Sequence, residues 1–241
     1  MDITFDQAGW ASTAVKHEMA PRPDQNGVQF TPVTPGLHGD MNAKYGGPRG
    51  LTIHCTDVVV PDAGAFARRT ARSSPRRSSY NFLIGLDGDL HQLCSIRDRA
   101  WHAGRASTFY AEIAAKKTLR GKKVSAGTIQ KVARVYSGKT GRWVWPVVDG
   151  VAVQNPNNWG PGIEIMGKAG QPLPAQELTL RALVQALFVQ SPIRADAVWS
   201  HGALDPLNRH DPGFDVAAWV ADANAWELRE GDGWNGEGGP E

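Results

Sequence analysis

The sequence predicts an α/β protein: a single domain in which one mixed central β-sheet is flanked by helices. Three observations predict it. Apolar runs of strand length, at 51–56, 80–85, 89–94, 162–166 and 197–199, are interspersed with segments of helical periodicity. No strict βαβ repeat links them, so a purely parallel sheet is not implied. At 241 residues, with 41% apolar and 21% charged, the chain has the balance of an ordinary globular protein, neither disordered nor fibrous.

The elements follow in order. Residues 1–48 are rich in Pro, Gly, Asp and Asn with little periodicity, and read as an irregular arm that wraps a core, with Trp10 and Phe30 available to pin it down. A first strand over 51–56 leads to a helix that starts near Pro61-Asp62 and runs through Phe66 to about Ala71. The runs 80–85 and 89–94 flank Asp87-Gly88, a strong hairpin signal, and form two antiparallel strands. Residues 107–158 read as an insertion: a basic, Ala-rich helical stretch, then a candidate hairpin over 143–150. Strand character returns at 162–166. Leu180, Leu183, Val184, Leu187 and Phe188 recur at helical spacing, a strand at 197–199 leads into His201, and 216–226 is a final amphipathic helix. The expected division is an arm (1–48), a main domain (49–228) carrying the insertion, and a flexible tail (229–241).

A net charge of +2 gives no reason to expect a nucleic-acid partner. No apolar run reaches the length of a membrane span, and the first six residues lack the basic start and apolar stretch of a secretory signal. Synthesis in the cytoplasm is expected, with release or export by another route. Cys55 and Cys94 read as small apolar residues, a single bridge being the lesser alternative. Alternation along the first strand turns Cys55 away from the face that carries His54.

Two segments carry the chemistry. Leu51-Thr-Ile-His54-Cys-Thr-Asp57 and Trp199-Ser-His201 through Asp211-Pro-Gly213 each place a histidine at the edge of an apolar run, and the second adds an aspartate ten residues on. Together they offer two imidazoles and a carboxylate to one metal. Three protein ligands suit a hydrolytic zinc, because the fourth tetrahedral position stays open for water.

With these pieces in order the chain resembles the zinc-dependent N-acetylmuramoyl-L-alanine amidases of the type-2 amidase and peptidoglycan-recognition-protein superfamily, phage endolysins included. Five blocks carry the resemblance: Thr52-Ile-His54, 79–88 with Tyr80-Asn-Phe, Ala100-Trp-His-Ala-Gly104, Gly162-Ile-Glu164, and 201–213. The resemblance implies the fold of that superfamily, Zn2+ as cofactor, peptidoglycan as substrate and cell-wall lysis as outcome; a monomer is expected. It implies His54, His201 and Asp211 as zinc ligands, and Pro206 sits where the family's last block carries a proline. Glu164 becomes the carboxylate that takes a proton from water, rather than a member of a structural ion pair. Tyr80 becomes a hydroxyl near the reacting oxygen rather than plain strand packing, Trp101 becomes a substrate contact, and His102 either contacts substrate or supports its loop. One departure matters. Where catalytic members carry lysine two residues before the third ligand, this chain has Arg209, which keeps the charge but cannot release a proton.

His210 reads as an orienting or surface residue and Asp205 as a loop residue. Arg68, Arg69, Arg72, Arg76 and Arg77 form a basic cluster, either a solvated face or an attractor for an anionic envelope polymer. Two rival roles stay open: a non-catalytic peptidoglycan-binding protein of the same fold, and a secreted antibacterial amidase toxin.

Overall fold

A computed structural model describes residues 2–19, 22–23, 29–30, 33–34, 47–73, 79–103, 113, 115–119, 121–135, 147–148, 151–152, 156–205 and 209–222. Among them a six-stranded mixed sheet forms the centre, from β1 (Val15–Lys16), β2 (Leu51–Cys55), β3 (Phe82–Ile84), β4 (Leu90–Gln92), β5 (Gly162–Ile165) and β6 (Val198–Ser200). Their order across the sheet is β1-β4-β3-β5-β2-β6. Only the β3–β4 hairpin is antiparallel; the other four pairings are parallel. The predicted α/β class with a mixed sheet is the observed one.

The helices cover both faces. On one, α3 (Pro174–Gln190) lays Leu180, Leu183, Val184 and Leu187 on Ile53, Phe82, Ile84 and Ile163, joined by Val216 and Val220 of α5 (Val216–Ala221). Their spacing of three and four residues is the apolar stripe that the sequence shows. On the other face α1 (Ala63–Ser73) packs Ala63, Ala67 and Ala71 against Tyr80, Leu83, Leu93 and Met166. Small alanines bring this helix close to the sheet. Asp62 caps α1 by accepting from Ala65 N at 2.6 Å, and Asp215 caps α5 by accepting from Ala218 N at 3.0 Å. The helix predicted over 216–226 is described as far as Ala221, and the rest of that prediction lies outside the described residues.

The Asp87-Gly88 turn forms as expected, with Gly88 at φ +85°. A Cβ there would come within 2.6 Å of Ala175 O, so the turn also needs glycine to seat the start of α3. Inside the predicted insertion, α2 (Ala126–Val135) and a hairpin pairing Val147–Val148 with Val151–Ala152 are described. The tail at 229–241 lies outside the described residues.

Within the segment read as an irregular arm, β1 is an edge strand of the central sheet and Ile3 is buried in the main core. Gln190 at the end of α3 accepts from Phe5 N at 2.8 Å and donates to Ile3 O at 3.2 Å. Trp10 is half-buried beneath the Lys16 ammonium, 3.9 Å from the ring centre, while the side chain of Phe30 lies outside the described residues. His17 reaches the hairpin directly: its Nε2 lies 3.1 Å from His91 Nδ1, and His91 Nε2 bonds the Asp89 carboxylate. Cys55 and Cys94 are free thiols.

Candidate metal centre

The register of the sheet assembles the site. Glu164 on β5 lies opposite His54 on β2 and opposite Leu83 on β3, in one row across the sheet. Ser200 lies opposite Ile53, so the next residue, His201, arrives beside His54 as the chain turns from β6 into α4 (His201–Leu204). Ser200 caps that turn, its Oγ accepting from Ala203 N at 3.0 Å. Asp211 comes from the following loop, held by Gly202 N donating to Asp211 O at 2.9 Å and Gly170 N donating to Pro212 O at 2.8 Å. Gly213, at φ +91°, closes against Gly170 with no room for a Cβ.

Three candidate ligand atoms converge. His54 Nδ1 lies 3.0 Å from His201 Nδ1 and 3.3 Å from Asp211 Oδ2, and the third side, His201 Nδ1 to Asp211 Oδ2, is 3.2 Å. A tetrahedral ion with bonds of about 2.0 Å has edges near 3.3 Å between its ligands, so this triangle is the base of such a tetrahedron. Both histidines are almost fully buried and Asp211 is partly so. Burial and the neighbouring His201 push His54 down to about 4, which keeps its imidazole neutral. Burial acts to raise Asp211, but the His201 and His54 rings against it hold it well below the usual carboxylate range. A neutral His54 and an ionised Asp211 are in the protonation states a metal requires of them, and two nitrogens with one oxygen suit zinc.

Glu164 stands beside this triangle with its Oε2 buried and no hydrogen-bond partner among the described residues. Burial first and the Asp211 charge second push its carboxyl up to about 8, against the pull of Arg209. Arg209 itself is exposed, its backbone N donating to Asp205 O at 2.9 Å, yet its charge is felt at both Glu164 and His54. Tyr80 is buried two residues before β3, in the α1 cluster. Trp101 is half-buried, with the Arg99 guanidinium 4.5 Å from its ring centre. His102 is buried against His54: its Nδ1 lies 3.0 Å from His54 Nε2 and its Nε2 3.1 Å from Gly160 O.

Asn157 is the residue that sequence reading passed over. Its Oδ1 accepts from His102 N at 2.9 Å and Ala103 N at 2.8 Å, and its Nδ2 donates to Ala103 O at 2.7 Å. It sits in a single 3-10 turn, Pro156–Asn158, inside the span taken as insertion. The available signal was an Asn pair just ahead of Gly160-Pro161-Gly162, where a turn must deliver the chain into β5. From this turn Trp159 O accepts from Gly50 N at 3.0 Å, and a Cβ on Gly160 would lie 1.5 Å from Gly50 O.

His210 is exposed, and Asp205 is buried at the end of α4, its N donating to His201 O at 2.8 Å. Arg68, Arg69 and Arg72 are exposed along α1, Arg68 being 3.6 Å from Asp62; Arg76, Arg77 and Pro206 lie outside the described residues. No described helix is long and apolar enough to cross a membrane.

Fold and site together define an α/β protein with a candidate three-ligand metal centre at the carboxyl ends of its parallel strands. The chain belongs to the N-acetylmuramoyl-L-alanine amidase family Amidase_2, whose model matches residues 44–214, and with that family goes amidase hydrolase activity. Among solved structures it is similar to a selenomethionine AmpD derivative (19% identity, 90% of this chain and 98% of that one, TM-score 0.47). It is also similar to Citrobacter freundii AmpD (20%, 92% and 94%, TM-score 0.44) and Drosophila PGRP-LB (13%, 89% and 96%, TM-score 0.44). No curated protein matches the chain significantly.

Proposed function

We propose that this protein is a zinc-dependent amidase that hydrolyses the amide between the lactyl group of N-acetylmuramic acid and L-alanine in peptidoglycan. The observation that carries the reading is the buried triangle of His54, His201 and Asp211 with Glu164 in the same cross-strand row. The bond is the one in the name of the family, and peptidoglycan as its setting is what the sequence resemblance implies.

His54, His201 and Asp211 hold the ion. When bound, zinc supplies Lewis acidity toward a water and the scissile carbonyl. Glu164 takes the proton from the attacking water and returns it to the leaving amine; a carboxyl pushed toward neutrality can do both. The cation would draw Glu164 below about 8, because its charge opposes that of Asp211. Arg209 stabilises the negative charge that develops on the carbonyl oxygen, acting through charge and directed donors, and Tyr80 adds its hydroxyl. Trp101 offers an aromatic face to the substrate. Envelope peptidoglycan is the expected place of action, reached after release or export.

Mass spectrometry of purified peptidoglycan, incubated with the protein with and without chelator, tests this. Stem peptides beginning with L-alanine, abolished by chelation, are expected. Elemental analysis should give about one zinc per chain, lowered in His201→Ala because two ligands hold zinc poorly. Bound zinc without peptide release would leave a peptidoglycan-binding protein instead.

A further inference from the structure

We propose that His102 is a positioning residue, which fixes the tautomer of His54 and leaves Nδ1 of that ring as a bare donor for the metal. This rests on the metal-binding role proposed for His54.

The protons can be placed one at a time, starting from a carbonyl. Gly160 O only accepts, so His102 Nε2, 3.1 Å away, carries a hydrogen. In the neutral ring Nδ1 then holds a lone pair. That lone pair faces His54 Nε2 at 3.0 Å, so the hydrogen between the two rings belongs to His54. A neutral His54 with its hydrogen on Nε2 has its own lone pair on Nδ1, the atom that points at His201 and Asp211. The opposite tautomer would put a hydrogen into the centre of the triangle and two lone pairs face to face between the rings.

His102 is held in the one place where it can do this. Asn157 clamps the backbone on both sides of its carbonyl, binding His102 N and Ala103 N. Its ring lies edge-to-face with His54, centroids 5.1 Å apart at 76°. A Cβ on Gly162 would come within 2.5 Å of His102 Cγ, so glycine there lets the ring lie against β5. An imidazole that donates from its far nitrogen is a more basic and better oriented ligand, and losing such a partner typically weakens metal binding 10–100-fold.

The test uses the full chain as wild type, His102→Phe and His102→Gln. Nitrogen-15 NMR of the metal-free protein reads which nitrogen of His54 carries hydrogen, and competition with a chromophoric chelator reads the zinc Kd. In the wild type the hydrogen should be on Nε2. His102→Phe should show mixed tautomers and a Kd roughly 10–100-fold weaker. His102→Gln, whose amide oxygen can accept the same hydrogen bond, should restore the Nε2 tautomer and much of the affinity. A hydrogen on Nδ1 in the wild type overturns the proposal without any variant having to fold. So does a folded His102→Phe that keeps the wild-type tautomer and affinity. An Nε2 hydrogen in a wild type that binds no zinc supports the tautomer assignment and overturns the proposed function.

Discussion

At the scale of single residues, burial pushes Glu164 toward its neutral form while the Arg209 charge pulls it back. Glu164 is an acid whose Oε2 is buried without a hydrogen-bond partner among the described residues. Glu164→Gln keeps its shape and removes the proposed base, so zinc content should hold while turnover falls by about 10²–10⁴-fold; a stem-peptide release assay beside metal analysis checks both. Arg209 touches the site through its field, lowering both His54 and Glu164. Arg209→Lys keeps the charge and should retain much of the activity, whereas Arg209→Met should lose roughly 10²-fold or more, the scale of a missing oxyanion donor. Equal digestion by Arg209→Met and the parent would leave the side chain no catalytic part.

The elements explain why some of this was legible in the sequence and some was not. His54, Glu164 and His201 sit on or beside apolar runs of strand length, and alternation with parallel register then brings them together. The hairpin was legible because Asp87-Gly88 is local turn chemistry, and α3 because its stripe repeats. Seating β1 in the sheet was not legible: two residues are too few to show alternation, and the pairing partner lies 76 residues away. The place of His102 was hidden for a similar reason, since its contacts with His54 and Gly160 span 48 and 58 residues. The turn at Pro156–Asn158 connects these distant pieces. Gly160→Ala should therefore be poorly tolerated, because its Cβ would overlap a backbone oxygen that cannot rotate away. Overpacking of this kind costs about 1–3 kcal/mol, a Tm loss of several degrees for a chain of this size. Calorimetry of the variant is the check, and a wild-type Tm would show that the turn can move.

At the scale of the whole molecule, the site sets the pH dependence of stability. His54 falls from 6.5 to about 4 on folding, so the unfolded chain binds more protons there and stability rises with pH through that window. Glu164 rises from 4.5 to about 8, so the folded chain holds more protons and stability falls with pH. The two oppose each other below 6.5, and above it Glu164 acts alone. Metal-free protein should thus melt lower at pH 8 than at pH 6.5, and Glu164→Gln should remove that decline. On the proposed function zinc would bind the folded state through deprotonated ligands, so saturating zinc should raise Tm and flatten or reverse the slope. A metal-free Tm that does not fall between pH 6.5 and 8 would mean that Glu164 ionises freely in the fold.

The contact between Gly160 and Gly50 has a further consequence. Gly50 leads into β2, β2 carries His54, His54 meets His102, and His102 ends on Gly160, which lies back on Gly50. The path is a closed ring of parts with no slack joint. Such a socket is made by contacts within the chain itself. Two glycines thereby become as hard to replace as the histidines on the same ring, since a Cβ on either would collide with a neighbour.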